Sequence, residues 1–433
     1  MKKTIVILIG IVQLAQAQKG DKYIKEKDVT RIIQTLASDD MHGRSSADEK
    51  SIFKAAAFIE KEFRQIGLKP LTGANSFLQE FSKDQIMPDK AEVIIDGEKI
   101  SPDNVVIATE KKDVNIKDNL ARKSISVDNT VPNKDQYFFD KAFEISRDTV
   151  SCLVLIAPEF EANFKEFKSF FKQRFANGRK GVKVFVIGKT SASSYSITAT
   201  QKIVPIKMAN VVGVLEGKTR KEEMVVFGGH YDHIGIKTKI DGDSIANGAD
   251  DDASGTTAVI ELARYYKKMK NNNRTLVFVA FTAEEIGGYG SRYFSQQLNP
   301  DKVVAMFNIE MIGKASKWGQ NSAFITGFER SDFGEILQKN LKGTAFQFMP
   351  DPYPGQNLFY RSDNATLARL GVPAHTVSTD QIDIDKFYHT VNDEVETLDM
   401  KNITSTIKAI ALSSKTIIDG TDTPKRIDKS KVK

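Results

Sequence analysis

The run "TLVFVAFTAEEIGGYGSRYF", residues 275–294, decides the fold. Its opening residues are apolar with no polar alternation, so a strand built from them must be covered on both faces. Two acids and two glycines end the run, and "YGSRYFSQQL" resumes with helical spacing. A doubly covered strand followed by a helix is the repeat unit of an α/β domain. Glu284 and Glu285 stand side by side where the strand ends. Adjacent like charges repel and lose hydration when covered, so the pair marks either a solvated turn or a place where a cation lies beside them.

The same alternation extends in both directions: "MVVFGGH", then the amphipathic "GTTAVIELARYYKKM", and later "VVAMFNIEMIG". The expected class is α/β, with a mixed, mostly parallel central sheet flanked by helices and an inserted β-rich or α/β cap domain. In such sheets, sites form at the carboxyl ends of strands. Residues 206–420 are expected to form the catalytic domain. Its N-terminal helical part is 18–83, where "VTRIIQTLAS" and "IFKAAAFIEKEFRQIGL" place apolar residues three and four apart. Between these helices, "DDMHGRSSADEK" is a polar loop that either lies near an active site or only links them. Residues 84–205 carry short β-like runs ("AEVIID", "NVVIAT", "CLVLIA", "VKVFVIG") and one helical stretch, "ANFKEFKSFFKQRFA", and read as the inserted cap domain. The basic "PKRIDKSKVK" makes 421–433 an expected disordered tail.

Residues 1–17 have a cleavable leader's layout: Lys2 and Lys3, an apolar run from Ile5 to Leu14, then Ala15-Gln16-Ala17. That run falls short of the roughly 20 residues that span a bilayer, and no later segment is a spanning candidate. The expected protein is therefore exported, to the periplasm or the medium. Cys152 is the only cysteine among 433 residues, which excludes an intramolecular disulfide; it sits in an apolar strand-like run and reads as buried packing. The net charge of +6 is modest and its lysines are interleaved with acids, so nothing points to a nucleic-acid partner.

The chemistry concentrates at strand ends. His230 and His233 are two of only five histidines and follow "MVVF" in "GGHYDHIG". Asp232 is spaced to act as the carboxylate that fixes a metal-bound imidazole's tautomer; which way His233 faces is left open. "NGADDDASG" places Asp250, Asp251 and Asp252 before a helix that starts at Ser254 or Gly255. One aspartate suffices for a cap; a carboxylate bridging two cations would account for tolerating three. At 284–285, consecutive strand-end side chains diverge, so one can ligate a metal while its neighbour reaches the activated water. Glu310 follows "VVAMF", and His389 follows Tyr388 in "KFYHTVNDEVETLD". His230, Asp251, Glu285, Glu310 and His389 form a mixed nitrogen and oxygen set that suits zinc. Asp251 as a bridge completes two three-residue sites about 3.5 to 4 Å apart.

"GGHYDHIG", "NGADDDASG", "FTAEEIGGYGSRYF", "FNIEMIG", "RSDNATLARLGVPA" and "FYHTVNDEVETLD" resemble, in order and context, the secreted two-zinc exopeptidases, which include bacterial leucyl aminopeptidases and glutamate carboxypeptidases. The resemblance is specific over 209–400, good over 29–80 and poor between. It implies two Zn2+ ions per chain, one held by His230, Asp251 and Glu310, the other by Asp251, Glu285 and His389. It makes Glu284 the general base, Asp232 the residue that orients His230, and Tyr388 the oxyanion donor. Two departures stand out. Glu310 occupies a position commonly Asp, and "SDN" at Ser362–Asn364 replaces a more usual "SDH". The insert, with strand, helix and strand in "SCLVLIAP…FKSFFKQ…VKVFVIG", compares with a degenerate protease-associated domain.

The resemblance implies an exported aminopeptidase acting on peptide substrates. Three readings compete: a carboxypeptidase or dipeptidase on the same site, with Arg361 reading a substrate carboxylate; a glutaminyl cyclase, which generally lacks the first histidine; and a peptide-binding protein without catalysis. Oligomeric state and residue preference are not legible.

Overall fold

The structure, a computed structural model, describes residues 22–126, 133–172, 174–240 and 242–433. The leader-like 1–17 lie outside the described residues. The chain forms two compact units: one comprises the residues up to Phe81 and from Met208 onward, the other Ser82–Lys207.

In the first unit, seven strands are labelled in chain order: β1 (Tyr195–Leu215, whose residues from Met208 belong here), β2 (Arg220–His230), β3 (Arg274–Phe281), β4 (Val303–Ile309), β5 (Ser322–Ile325), β6 (Gln347–Pro350) and β7 (Ala374–Ser378). They lie in the order β6-β5-β7-β4-β2-β3-β1. β3, β2, β4 and β7 run parallel, while β1 and β5 pair antiparallel at either side. The sheet is thus mixed with a parallel centre, as the apolar runs require.

Register explains the core. Phe227 is opposite Phe278 on β3 and Phe307 on β4, and its ring stacks on both, with centroids 5.5 and 4.8 Å apart. Burying each such side chain contributes up to about 3 kcal/mol. The helix Gly255–Met269 covers one face, with Tyr266 stacked on Phe227 at 5.6 Å. Glu26–Leu36 buries Val29, Ile32, Ile33 and Leu36 at three- and four-residue spacing. Glu49–Ile66 starts on an Asp48 cap and stops at Gly67, whose φ of 81° suits a residue without Cβ.

The tail departs from expectation. Ile427 is buried among the core residues Val303, Val372 and Ala374, with Val432 packed against the same cluster. Arg426 donates to the carbonyls of Pro300 and Val303, and Arg274 to that of Asp422. Two apolar anchors inside a charged segment hold it down, which a count of lysines does not reveal.

The second unit has a four-stranded sheet in the order Val105–Ala108, Lys183–Ile187, Cys152–Ile156 and Ala121–Ile125, antiparallel only at the Val105–Ala108 edge. Helix Glu161–Ser169 and a helix the sequence reading passed over, Lys134–Arg147, supply Phe138, Phe164 and Phe167 to its core beside Phe160 and Phe185. Cys152 is buried in that core.

Candidate metal centre

The carboxyl ends of β2, β3 and β4 deliver His230, Glu284 with Glu285, and Glu310. Between β2 and β3 the chain returns through Ala249–Ser254 into the helix Gly255–Met269, and the three consecutive aspartates there take three different tasks. Asp252 accepts the backbone N–H of Gly255 at 3.0 Å and of Met311 at 3.0 Å, capping the helix and tying it to the segment after β4. Asp250 accepts Gly313 N–H at 2.7 Å and lies 3.2 Å from Lys314 Nζ. Asp251 alone faces the histidines. Its Oδ1 lies 3.2 Å from His230 Nε2, and its Oδ2 lies 3.3 Å from His389 Nε2 and 3.7 Å from His233 Nδ1.

Around this carboxylate two donor sets converge: His230, Asp251 and Glu310, and His233, Asp251 and Glu285, the donor atoms of each set lying within 4.8 Å of one another. His389 joins the second, with Nε2 3.0 Å from Glu285 Oε2. All five residues assigned to metal from sequence therefore come together. So does His233, whose Nδ1 lies 2.8 Å from Glu285 Oε1. Sequence reasoning left its direction open; the available signal was a second histidine in a motif that needs only one.

Asp232 differs from its expected role. His230 Nδ1 has the backbone carbonyl of Asp232 at 3.0 Å, whereas the Asp232 carboxylate is 3.8 Å away and instead accepts Glu284 N–H at 3.1 Å. Asp232 thus fixes the backbone of the residue expected to be the base. Tyr388 stacks on His389 with centroids 3.9 Å apart, and Arg361 approaches its hydroxyl at 3.4 Å. Beside Glu310 opens a cavity of about 50 Å³ lined by Phe324, Leu358, Arg361, Asp380, Ile382 and Tyr388, among others.

The loop after the first helix proves to be part of this framework. Arg44, fully buried, donates to the carbonyls of Leu36 (2.6 Å), Tyr231 (2.7 Å), Asn247 (2.6 Å) and Gly248 (2.8 Å). One guanidinium therefore joins the loop after His230 to the loop before Asp251. Asp393 accepts the N–H groups of Asp250 (2.9 Å) and Asp251 (3.0 Å) from the other side.

The electrostatics describe a site with too much negative charge for its own cations. Burial lifts Asp232 and Glu310 to about 7 against the pull of His230, and Asp363 to about 6. Burial likewise raises Glu284 well above the carboxylate range, helped by Glu310 and Asp363. Asp251 goes the other way: the adjoining His230, His233 and His389 imidazoles outweigh its burial and hold it well below that range. His389, opposed by burial, is raised to about 9 by Asp251 and Glu285.

Polar satisfaction gives an independent test of fit to a cation. His230 Nε2, both ring nitrogens of His233, Glu285 Oε1 and Glu310 Oε2 are buried without a hydrogen-bond partner. Leaving such groups unpaired costs about 1–3 kcal/mol each. All but His233 Nε2 can serve as donor atoms of the two sets, so the residues fit metal ions held there.

Residues 210–413 match the model of Peptidase family M28. A probable zinc metalloprotease of Leptosphaeria maculans is 35% identical over 114 residues, 26% of either chain, so this protein spans about a quarter of that relative. A probable leucine aminopeptidase of Trichophyton verrucosum is 28% identical over 213 residues, 47% of this chain and 54% of the relative. The fold is similar to an aminopeptidase from Aneurinibacillus sp. strain AM-1, with a TM-score of 0.56 at 16% identity, covering 96% of this chain and 98% of the other.

Proposed function

We propose that this chain, whose residues 210–413 match the model of Peptidase family M28, is a two-zinc aminopeptidase that removes N-terminal residues from peptides outside the cytoplasm. The observation that carries the reading is the convergence of two orphaned donor sets on Asp251. Export is supported by the leader-like 1–17, and the name of the Trichophyton relative supports aminopeptidase specificity.

His230, Asp251 and Glu310 would hold one ion, and Asp251, Glu285 and His389 the other. Bound there, the ions supply Lewis-acid polarisation and water activation. The chain's own residues manage the protons. Glu284, with its N–H fixed by Asp232, accepts a proton from the attacking water at its carboxylate and returns it to the leaving amine. The Tyr388 hydroxyl, beside Arg361, is the donor placed for the developing oxyanion. A substrate's free α-amine needs an acceptor, and Asp380 lines the cavity.

A carboxypeptidase or dipeptidase reading rests on Arg361, an exposed guanidinium on the same cavity. Elemental analysis for zinc, run with hydrolysis of amino-acid p-nitroanilides and N-blocked peptides, separates the two. Two zincs with turnover only of free-amine substrates is the expected result. Turnover of N-blocked peptides alone would favour the carboxypeptidase. No zinc and no hydrolysis would remove both.

A further inference from the structure

We infer that Lys314 is a positioning residue for the second metal ion: its ammonium ties the loop that presents His389 and Tyr388 to the loop that presents Asp251. The inference rests on the two-metal reading above and gives a task to a residue that reading leaves unused.

The need for such a tie comes from His389. His230, Glu285 and Glu310 stand at or just past the ends of core strands, whereas His389 lies in 379–394, which contain neither strand nor α-helix. Its side chain is 40% exposed, and its φ of 57° is a conformation that a residue with a Cβ keeps only where its surroundings impose it. Something outside the ligand set must hold this stretch.

Lys314 is placed to do so. It follows Glu310 on the segment after β4, and its carbonyl accepts Asn402 Nδ2 at 2.7 Å. Its Nζ donates to Asp385 Oδ2 at 2.7 Å, lies 3.2 Å from Asp250 Oδ2 and stands 5.4 Å from the centre of the Phe387 ring. Each aspartate is coupled to a ligand in its turn. Asp385 Oδ1 accepts Phe387 N–H at 2.8 Å, just ahead of Tyr388 and His389, and Asp250 adjoins Asp251 directly. One ammonium thus spans three segments that each carry a candidate ligand. Gln381 adds a neutral tie to the Ala315 carbonyl at 3.1 Å, farther along the chain from His389.

Charge explains why the tie is a cation. Carboxylate oxygens of Asp250, Asp380 and Asp385 lie within 4.8 Å of one another, and both Asp380 oxygens are buried without a hydrogen-bond partner among the described residues. Such groups repel unless a positive charge stands among them. Burial opposes charge on Lys314, yet Asp250 and Asp385 raise its proton affinity above the ordinary value, so the ammonium persists there. Without it, repulsion would drive the His389 loop away from the Asp250 side, and His389 with it.

The test titrates full-length protein with zinc against a competing chelator, with His389→Ala marking which binding step belongs to the second ion. Lys314→Met should weaken that step about 10- to 100-fold, as loss of a group that orients a ligand does, and leave the other within about threefold. Lys314→Arg, which keeps the charge, should lose less. Asp385→Asn should weaken the same step, and the double variant should lose no more than the larger single loss, because both substitutions break one tie. Equal weakening of both steps, or additive losses, would make Lys314 a general prop of the fold and overturn the proposal. Unchanged affinities in Lys314→Met would overturn it as well. Wild-type protein that binds no zinc would instead overturn the two-metal reading on which it stands.

Discussion

Two fully buried histidines sit on parallel strands of the same sheet, with opposite surroundings. His375 on β7 has Ser331 Oγ at 2.7 Å from Nε2 and the Thr326 carbonyl at 2.9 Å from Nδ1, and its ring stacks on Phe333. His230, at the end of β2, has only Nδ1 partnered, while Nε2 points at Asp251 without a hydrogen bond. Burial depresses His375 to about 4, whereas Asp251, Asp252 and Glu284 overcome burial and hold His230 well above its ordinary value. Burial alone does not mark a ligand. What separates the two is whether the protein itself satisfies both nitrogens.

The severest way to break the contrast is Asp251→Ala, which removes the acceptor shared by both donor sets. We expect both metal ions to be lost and activity to fall to background, measured as zinc per chain and p-nitroanilide turnover on one sample. A variant that kept two zincs would refute the bridging role. Next in size, Glu284→Gln should retain both ions and lose about 10²- to 10⁴-fold in kcat. Activity within a few fold of wild type would show that the proton is moved elsewhere.

Legibility followed the same division. The parallel centre of the sheet was readable because β2, β3 and β4 are buried on both faces and lack polar alternation. The ligands were readable because each follows such a strand or stands in a compact acidic or histidine motif. Less visible were groups whose role is set by partners distant in sequence. Arg44 holds carbonyls at Tyr231, Asn247 and Gly248, and nothing in "MHGRSS" announces contacts some two hundred residues away. Asp252 and Asp251 are the same residue type one position apart, and only the fold assigns one to capping and the other to the histidines. The long strand Leu78–Ile95 was missed beyond its last residues because its middle is largely exposed and alternates weakly.

A smaller effect sharpens the satisfied side of the comparison. The folded protein holds His375 at about 4, below the ordinary 6.5, so between these values the unfolded chain binds a proton that the folded chain does not. This contribution is complete above pH 6.5 and is lost as pH falls toward 4, amounting to about 3 kcal/mol. His375→Gln should flatten that part of the stability profile, followed by urea denaturation at pH 7 and at pH 5. An unchanged difference between the two pH values would assign the acid sensitivity to the carboxylates instead.

The smallest expected effect probes the unsatisfied side at Glu310. Its N–H donates to the Val377 carbonyl at 3.2 Å, which fixes the backbone from which the side chain reaches toward His230 and Asp251. Glu310→Asp withdraws the carboxylate by one methylene, roughly 1.5 Å, from a donor set already formed at the longer length. Since the backbone is anchored, the shortfall falls on the first ion alone. We expect that ion to bind about tenfold more weakly, near 1.4 kcal/mol, with the second unaffected. Sequential zinc titration against a competing chelator measures the two steps separately. Equal weakening of both ions would show that Asp251 transmits the change between them. No weakening would show that the loop after β4 yields to the shorter side chain, placing the rigidity of the centre in Asp251 and the groups that hold it.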